Sequence, residues 1–309
     1  MKGVLSCLLA LVLALSITPS VFAEETVGST TNNVDAINGD DTPEETVGGT
    51  TIYVDANNGD DAQEGVGTAK EKAYKSIGEA VKAAKSGYTI KLAKGNYSLY
   101  EVCGKQGTNN AEYTKNKDLT FIGAGPEETK WGIGAKVPNP QNFGTEYNSD
   151  YSFDGAGTVT FQNMTLRSGT VDYLGFARIN ETVVENCTIN GETCYWGYTS
   201  ATFTNTIFNC PNGRYALWTY SSPTMTFENC TFNSSDKVIN VYTDYGAGKQ
   251  DITVNFENCT VNNELSILGS IFGTKQVLNV NDSNMGNYKY IINISGDNKV
   301  SGISVDSTT

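Results

Sequence analysis

A short phrase that recurs six times in the second half of the chain is the strongest constraint on its fold. The copies are "VTFQNMTL", "TVVENCTI", "ATFTNTIF", "MTFENCTF", "VNFENCTV" and "LNVNDSNM". Their central residues are spaced by 23, 19, 24, 29 and 24 residues, and they are Asn163, Asn186, Asn205, Asn229, Asn258 and Asp282. Self-similarity at this period is typical of solenoids. We therefore expect a repeat architecture rather than a globular core.

Within each copy, apolar and polar residues alternate. Phe227 is followed by Glu228, and Thr231 by Phe232, as in a strand with one buried face. The copies lack helical periodicity. A repeat of this length that is built of short strands matches one coil of a parallel β-helix, in which successive coils pair and a core runs along the axis. The fold class that we predict is all-β.

Stacked coils would place like residues over like. The central Asn residues would then form a ladder in which each side-chain amide bonds the next. The residues that follow them would point inward as small core residues: Met164, Cys187, Thr206, Cys230, Cys259 and Ser283. Buried free cysteine behaves as a small hydrophobe, so we interpret these thiols as packing, without a Cys230–Cys259 disulfide.

An amphipathic helix is predicted upstream of the repeats. In "SIGEAVKAAKSG" (76–87), Ser76 and Glu79 form a capping-box pattern, and Ile77, Ala80, Val81 and Ala84 lie on one stripe. "YTIKLAKGNY" then reads as a strand. The open end of a solenoid needs a cover, and we expect this helix to be the N-terminal cap.

Two nearly identical segments of twenty residues precede that helix. "ETVGSTTNNVDAINGDDTPE" (25–44) and "ETVGGTTIYVDANNGDDAQE" (45–64) agree at 14 positions. Only the second has Ile52 and Tyr53 in place of Asn32 and Asn33, so only the second is expected to form a strand.

These N-terminal segments carry a resemblance to a known family. "TIYVDANNGDD", "YKSIGEAVKAAKSGYTIKLAKGNY" and "LTFIGAG" resemble the opening of secreted proteins of the pectin lyase-like superfamily, over residues 51 to about 125. The resemblance implies a right-handed parallel β-helix. It also implies that the second copy is the first strand and that the first copy is a degenerate duplication.

The N-terminus predicts export. Lys2, an apolar run from Val4 to Ile17 and "SVFA" form a secretory signal with cleavage after Ala23. The expected organisation is a signal peptide at 1–23, an acidic linker at 24–50 and a β-helix domain at 51–309. No later segment is apolar enough for a membrane span, so we predict a protein that is secreted or associated with the cell surface.

Composition excludes several function classes. Histidine is absent, which removes imidazole-based catalysis and His-ligated zinc. The formal net charge is −13, which argues against a nucleic-acid partner because such a partner requires a basic face. The "DANNGDD" segment (55–61) does not follow the EF-hand order, and an Asn-Gly turn explains it more simply than calcium. No cofactor is predicted.

The superfamily includes polysaccharide lyases, hydrolases and esterases, so catalysis has to be judged on residues. "GTVDYLGF" (169–176) resembles the segment of pectin methylesterases that carries the nucleophilic Asp, and Asp172 would occupy that position. Arg214 in "GRYALW" resembles the arginine that holds the substrate carboxylate, although the neighbouring Pro is missing. The Gln-Asp segment of that family is missing as well. Asp172, Arg214 and Asp244 are therefore the catalytic candidates only if the chain is an enzyme.

Aromatic residues gather at similar offsets in successive repeats and define the candidate binding surface. They are Tyr173, Tyr195, Trp196, Tyr198, Tyr215, Trp218, Tyr220, Tyr242 and Tyr245, accompanied by Glu192. Flat rings beside hydrogen-bonding groups suit a sugar, whose C–H face packs on π surface. The leading hypothesis is a non-catalytic, adhesin-like module that binds polysaccharide or a cell-surface glycan. The alternatives are a polysaccharide-active enzyme and a structural spacer; the oligomeric state is left open.

Overall fold

The parallel pairing of short strands defines the architecture. The structure is a computed structural model that describes residues 50–97, 111–132, 150–166, 174–191, 193–196, 199–210, 215–220, 224–234, 237–242, 252–262, 268–269, 276–281, 292–293 and 303–308. The proposed signal peptide (1–23) and nearly all of the linker (24–50) lie outside these residues.

Within these residues, twenty-two strands follow one another with few helices between them. The first eleven are β1 (Thr51–Val54), β2 (Tyr88–Leu92), β3 (Gly95–Tyr97), β4 (Leu119–Ile122), β5 (Thr129–Trp131), β6 (Asp150–Gln162), β7 (Thr165–Leu166), β8 (Leu174–Glu185), β9 (Thr188–Asn190), β10 (Thr193–Trp196) and β11 (Ser200–Thr204). The others are β12 (Ile207–Cys210), β13 (Tyr215–Tyr220), β14 (Thr224–Glu228), β15 (Thr231–Ser234), β16 (Lys237–Tyr242), β17 (Ile252–Glu257), β18 (Thr260–Asn262), β19 (Leu268–Gly269), β20 (Gln276–Asn281), β21 (Ile292–Asn293) and β22 (Ile303–Thr308). The helical segments are α1 (Ile77–Ala83), α2 (Ala111–Thr114) and a 3₁₀ turn at Lys70–Lys72.

Twenty of the described strands pair in three parallel stacks, and the other two, β19 and β21, pair with each other. The first stack runs β1-β2-β4-β6-β8-β11-β14-β17-β20-β22, and the second runs β3-β5-β7-β9-β12-β15-β18. The third stack runs β6-β8-β10-β13-β16, in which β6 contributes its residues 150–152. The long strand β8 belongs to two stacks because its residues 174–177 pair with β10 and its residues 181–185 pair with β11.

The chain visits the stacks in a fixed order. In the coil that begins at β11, the chain enters the second stack at β12 and the third at β13, and it returns to the first at β14. Pairing is always between one coil and the next, as in Phe203 opposite Phe227 and Phe227 opposite Phe256. The prediction of an all-β, repetitive chain of parallel strands is confirmed, and the arrangement is consistent with a parallel β-helix.

Aromatic side chains stack along the inside of these coils. The rings of Phe203 and Phe227 lie 5.1 Å apart at 10°, and those of Phe227 and Phe256 lie 5.1 Å apart at 19°. Phe208 and Phe232 repeat the pattern in the second stack, at 4.7 Å and 8°. All of these rings are buried. The apolar positions that the sequence alternation assigns to the interior do form the core.

An asparagine in the left-handed region turns the chain from the first stack to the second in five successive coils. These residues are Asn163 (φ 56°), Asn186 (51°), Asn205 (48°), Asn229 (53°) and Asn258 (50°). Asparagine tolerates this conformation better than most residues that carry a side chain. The backbone N–H of Asn229 donates to the carbonyl of Glu257 in the next coil at 2.9 Å. Each corner is therefore bonded to its neighbour through the main chain.

One rung of the predicted amide ladder is present, between two corner asparagines, and a second ladder that the sequence analysis missed runs beside it. Asn258 donates its side-chain amide to Asn229 at 2.6 Å. Four residues further along, Asn262 donates to Asn233 at 2.8 Å, and Asn209 donates to Asn190 at 3.2 Å. The sequence does contain a signal for this second ladder: in four repeats, a second asparagine follows the corner asparagine by four residues.

The helix α1 packs its apolar stripe into the core at the N-terminal end. Ile77, Ala80 and Val81 are buried, and the Ser76 hydroxyl accepts the N–H of Glu79 at 3.3 Å, as expected. The reciprocal half of the capping box does not come from Glu79. The N–H of Ser76 donates instead to the carboxylate of Asp61 at 3.0 Å.

The second copy of the duplicated segment supplies the first strand, as predicted. Thr51–Val54 pairs in register with Thr89–Leu92 of β2. Ile52 is buried, and Tyr53 lies at a half-buried position on the other side of the strand. The first copy (25–44) lies outside the described residues.

The corner conformation generates a stability prediction. Replacing Asn229 with Ala should destabilise the fold by about 1–2 kcal/mol more than replacing it with Gly, because only Gly enters the left-handed region without a steric penalty. Both variants lose the amide bond to Asn258, so their difference isolates the backbone. Urea unfolding measures it.

A matched control is Asn233→Ala, which removes a ladder amide within a strand. It should cost about 1 kcal/mol or less. An Asn229→Ala variant as stable as Asn229→Gly would show that the corner does not depend on backbone conformation.

Candidate functional site

Most of the residues that the sequence analysis selected fall outside the described structure. Asp172, Tyr173, Glu192, Tyr198, Arg214, Asp244 and Tyr245 belong to this group. The three catalytic candidates are among them. Their grouping into one cleft therefore stays a prediction.

The third stack brings several of the remaining aromatic residues into register. Trp196 in β10 is the backbone partner of Tyr220 in β13, and Tyr220 is the partner of Tyr242 in β16. Adjacent strands lie about 4.8 Å apart. One register column therefore holds an aromatic residue in three successive coils, as the hypothesis of a vertical strip requires.

The face to which this column belongs follows from its neighbours. Phe176 and Thr193 are buried, and Phe176 is the register partner of Tyr195, one residue before Trp196. Because adjacent columns of a sheet belong to opposite faces, the column of Trp196 belongs to the face opposite the core. Trp218, two residues before Tyr220, shares that face.

We call Trp196, Trp218, Tyr220 and Tyr242 the outer-face set. Tyr195 and Tyr215 belong to the columns of the other face. Tyr195 is aligned with the buried Phe176, and Tyr215 lies two residues before Leu217, the register partner of the buried Thr193. Counting offsets from the central Asn could not separate these two groups, because the strand register decides which residues share a face.

The outward face of the first stack carries a column of acids and amides. One register column contains, in successive coils, Glu185, Thr204, Glu228 and Glu257. Gln162 donates to the Glu185 carboxylate at 2.6 Å. Among the described residues, no group of three or more metal-ligating side chains gathers into a metal site.

The carboxylates of the "DANNGDD" segment bind backbone groups. Asp55 accepts the N–H groups of Asn57 and Asn58 at 2.9 and 3.1 Å, and Asp61 accepts that of Lys75 at 2.8 Å. Burial alone would raise the pKa of Asp55, but the bonds from Asn58 and Asn57 outweigh burial and lower it. These contacts match the turn interpretation of the segment.

The corner thiols are buried and bonded to carbonyl groups. Cys187, Cys230 and Cys259 are free thiols, and Cys230 donates to the carbonyl of Phe203 in the preceding coil at 3.3 Å. Thr206 makes the equivalent bond to Val184 with its hydroxyl at 3.5 Å. The thiol hydrogen therefore serves as a donor that joins coils. The predicted inward direction and packing role are confirmed for the five described residues, which are all buried: Met164, Cys187, Thr206, Cys230 and Cys259. Ser283 lies outside the described residues.

Two of these thiols, Cys187 and Cys230, have raised pKa values. Burial raises the pKa of Cys187 to about 12. For Cys230, the hydrogen bond with Cys259 and then burial raise the pKa. A nucleophilic cysteine needs the opposite shift, toward the thiolate.

Comparison with known proteins adds no relative. No protein-family model, no curated protein and no solved structure matches the chain. Within the described residues, no helix is long and apolar enough to cross a membrane.

The thiol environment generates a prediction for pH dependence. An unfolded thiol ionises near pH ~8.5, so only the unfolded chain gains thiolates from there up to about pH 12, the pKa of folded Cys187. The free energy of unfolding should therefore fall with rising pH in this window. Cys187→Thr should reduce the fall, since Thr206 already occupies the equivalent corner. Unfolding at a series of pH values measures it, and an unchanged slope in Cys187→Thr would contradict the assignment.

Proposed function

We propose that this chain is a secreted, non-catalytic β-helix module that binds polysaccharide through the outer-face set. In this proposal the fold is a right-handed parallel β-helix of the pectin lyase-like type, and α1 is its N-terminal cap. The signal peptide (1–23) directs export, and the acidic linker (24–50) precedes the binding domain.

The support comes from one register relation. Trp196, Tyr220 and Tyr242 share a column on the face opposite the buried Phe176. Sugar rings pack their C–H faces on aromatic rings, and repeated rings in line suit a repeated ligand better than a single small molecule. A polymer that runs along the solenoid axis would contact one coil after another.

The proposal is tested against two alternatives, a polysaccharide-active enzyme and a structural spacer. If the chain is an enzyme, the catalytic candidates are Asp172, Arg214 and Asp244. A spacer would bind no glycan at all.

The test is retention of the mature chain in affinity gels that contain a panel of neutral and acidic polysaccharides. Trp196→Ala, Trp218→Ala and Tyr220→Ala should each weaken the affinity about three- to tenfold, because a ring contact contributes about 0.5–1.5 kcal/mol. The matched control is Tyr113→Ala, which removes an exposed tyrosine of α2, 37% accessible.

Product assays separate the alternatives. Reducing ends, unsaturated products and methanol are measured on the same panel, and release of any of them that is lost in Asp172→Asn would establish the enzyme. If the gels retain all three ring variants as strongly as the wild type, the outer-face set is excluded as the binding surface.

A further inference from the structure

The two register columns that hold the outer-face set begin, in β6, with an acidic and a hydroxyl-bearing residue. Ser152 and Ala177 come before Trp196 in one column. Asp150, two residues before Ser152, begins the other column, which continues to Trp218. At their described positions, the two columns hold no lysine and no arginine. The charge that they carry is therefore negative.

The outward face of the first stack is also acidic in the coils from β6 to β17. Its columns hold four glutamates, and their other described positions are Thr, Ser, Val, Asn or Gln, without a lysine or an arginine. The four are Glu181, Glu185, Glu228 and Glu257. Glu257 is exposed and the other three are half-buried. Within the described part of the chain, none of these four carboxylates forms an ion pair.

The acidic face and the aromatic column are close together because β8 belongs to both stacks. Glu181 follows Ala177 by four residues in this strand, so their Cα atoms are at most about 14 Å apart. Thr158 donates its hydroxyl to the Glu181 carboxylate at 3.2 Å, and this neutral donor leaves the negative charge uncompensated. At physiological salt, charges are screened over about 8–10 Å. A ligand on the aromatic column therefore lies within reach of this charge.

Aromatic rings bordered by carboxylates suit a sugar that carries an ammonium group. The face of a Trp or Tyr ring attracts a ligand cation, and a carboxylate accepts charge-assisted hydrogen bonds from it. The C–H face of the sugar can still pack on the aromatic side chain. A uronic-acid polymer would bring further negative charge to columns that hold no positive charge at their described positions, and like charges brought together disfavour binding.

We propose that the polysaccharide recognised by the outer-face set carries free amino groups, which the aromatic column and the bordering acids Asp150 and Glu181 attract as ammonium ions. This inference rests on the proposed function, because it names the class of polymer that the same surface binds. Neutral polymers and uronic-acid polymers are the alternatives that the test separates from it.

The test is calorimetric titration of the mature chain with two hexasaccharides of the same linkage, one of glucosamine and one of N-acetylglucosamine. The pH is chosen so that the amines and the carboxylates are both ionised. The glucosamine form should bind at least about tenfold more tightly, and added salt should remove most of that advantage. Equal affinities, or tighter binding of a galacturonate hexasaccharide, would overturn the inference.

Charge variants locate the effect. Glu181→Gln and Asp150→Asn should each weaken binding of the glucosamine form about three- to tenfold and leave binding of the N-acetylated form unchanged. Glu181→Gln retains an oxygen that can accept the Thr158 hydroxyl. The matched control is Glu71→Gln, which removes an exposed acid from the 3₁₀ turn near the N-terminal end and should bind both forms like the wild type. Wild-type affinity in both charge variants would contradict the assignment.

Ring variants separate a failure of this inference from a failure of the proposed function. If Trp196→Ala and Trp218→Ala weaken both hexasaccharides but the wild type binds the two equally, the polysaccharide surface stands and the amino specificity is wrong. If both ring variants bind the glucosamine form like the wild type, the binding is adsorption to a chain of formal net charge −13, and the inference fails. If neither hexasaccharide binds and the gels retain nothing, the proposed function fails as well.

Discussion

The main-chain bond between one coil and the next is the interaction on which the rest of this structure depends. At four successive corners, an asparagine in the left-handed region donates its N–H to the following coil; these residues are Asn163, Asn186, Asn205 and Asn229. The bonds of Asn205 to Glu228 and of Asn229 to Glu257 are both 2.9 Å long. These repeated bonds fix the register of the strands on either side, and the columns of residues in these coils inherit this alignment.

The same alignment explains why the interior and the surface look so different. Inside, it brings Phe203, Phe227 and Phe256 face to face, and their rings stack at van der Waals contact. On the other face, it puts Trp196 in register with Tyr220 and Tyr220 in register with Tyr242. Stacked rings on the core face stabilise the fold. The register column of aromatic residues on the opposite face repeats with the period of the coil, which is the basis of the proposed polysaccharide binding.

The N-terminal end departs from the regular coil. The segment between Gly67 and Tyr74 is tied to β1 and builds a wall beside the sheet. The regular coils place side chains in ladders along a flat face, whereas this wall encloses a volume.

Much of the fold could be predicted from local pattern. The alternation around Phe227 and Phe232 identified the buried faces, the change to Ile52 and Tyr53 identified the first strand, and Ser76 identified the helix start. Local pattern did not show that Asp61 would cap Ser76, because the two residues are fifteen positions apart and meet only when the turn folds back. The second amide ladder was missed because only the register between coils shows that Asn233 and Asn262 meet.

For the candidate site too, some features could be predicted from the sequence and others depend on the register between strands. The sequence by itself determined that aromatic residues recur once per repeat and that no imidazole chemistry is available, since both depend only on which residues are present and at what spacing. Only the tertiary structure decided that Trp196, Tyr220 and Tyr242 share a column while Tyr195 aligns with the buried Phe176. The physical reason is that successive residues of a strand belong to opposite faces of the sheet. Because the connections between strands differ in length, the sequence alone does not show which residues are in register, and only the hydrogen bonds between coils fix it.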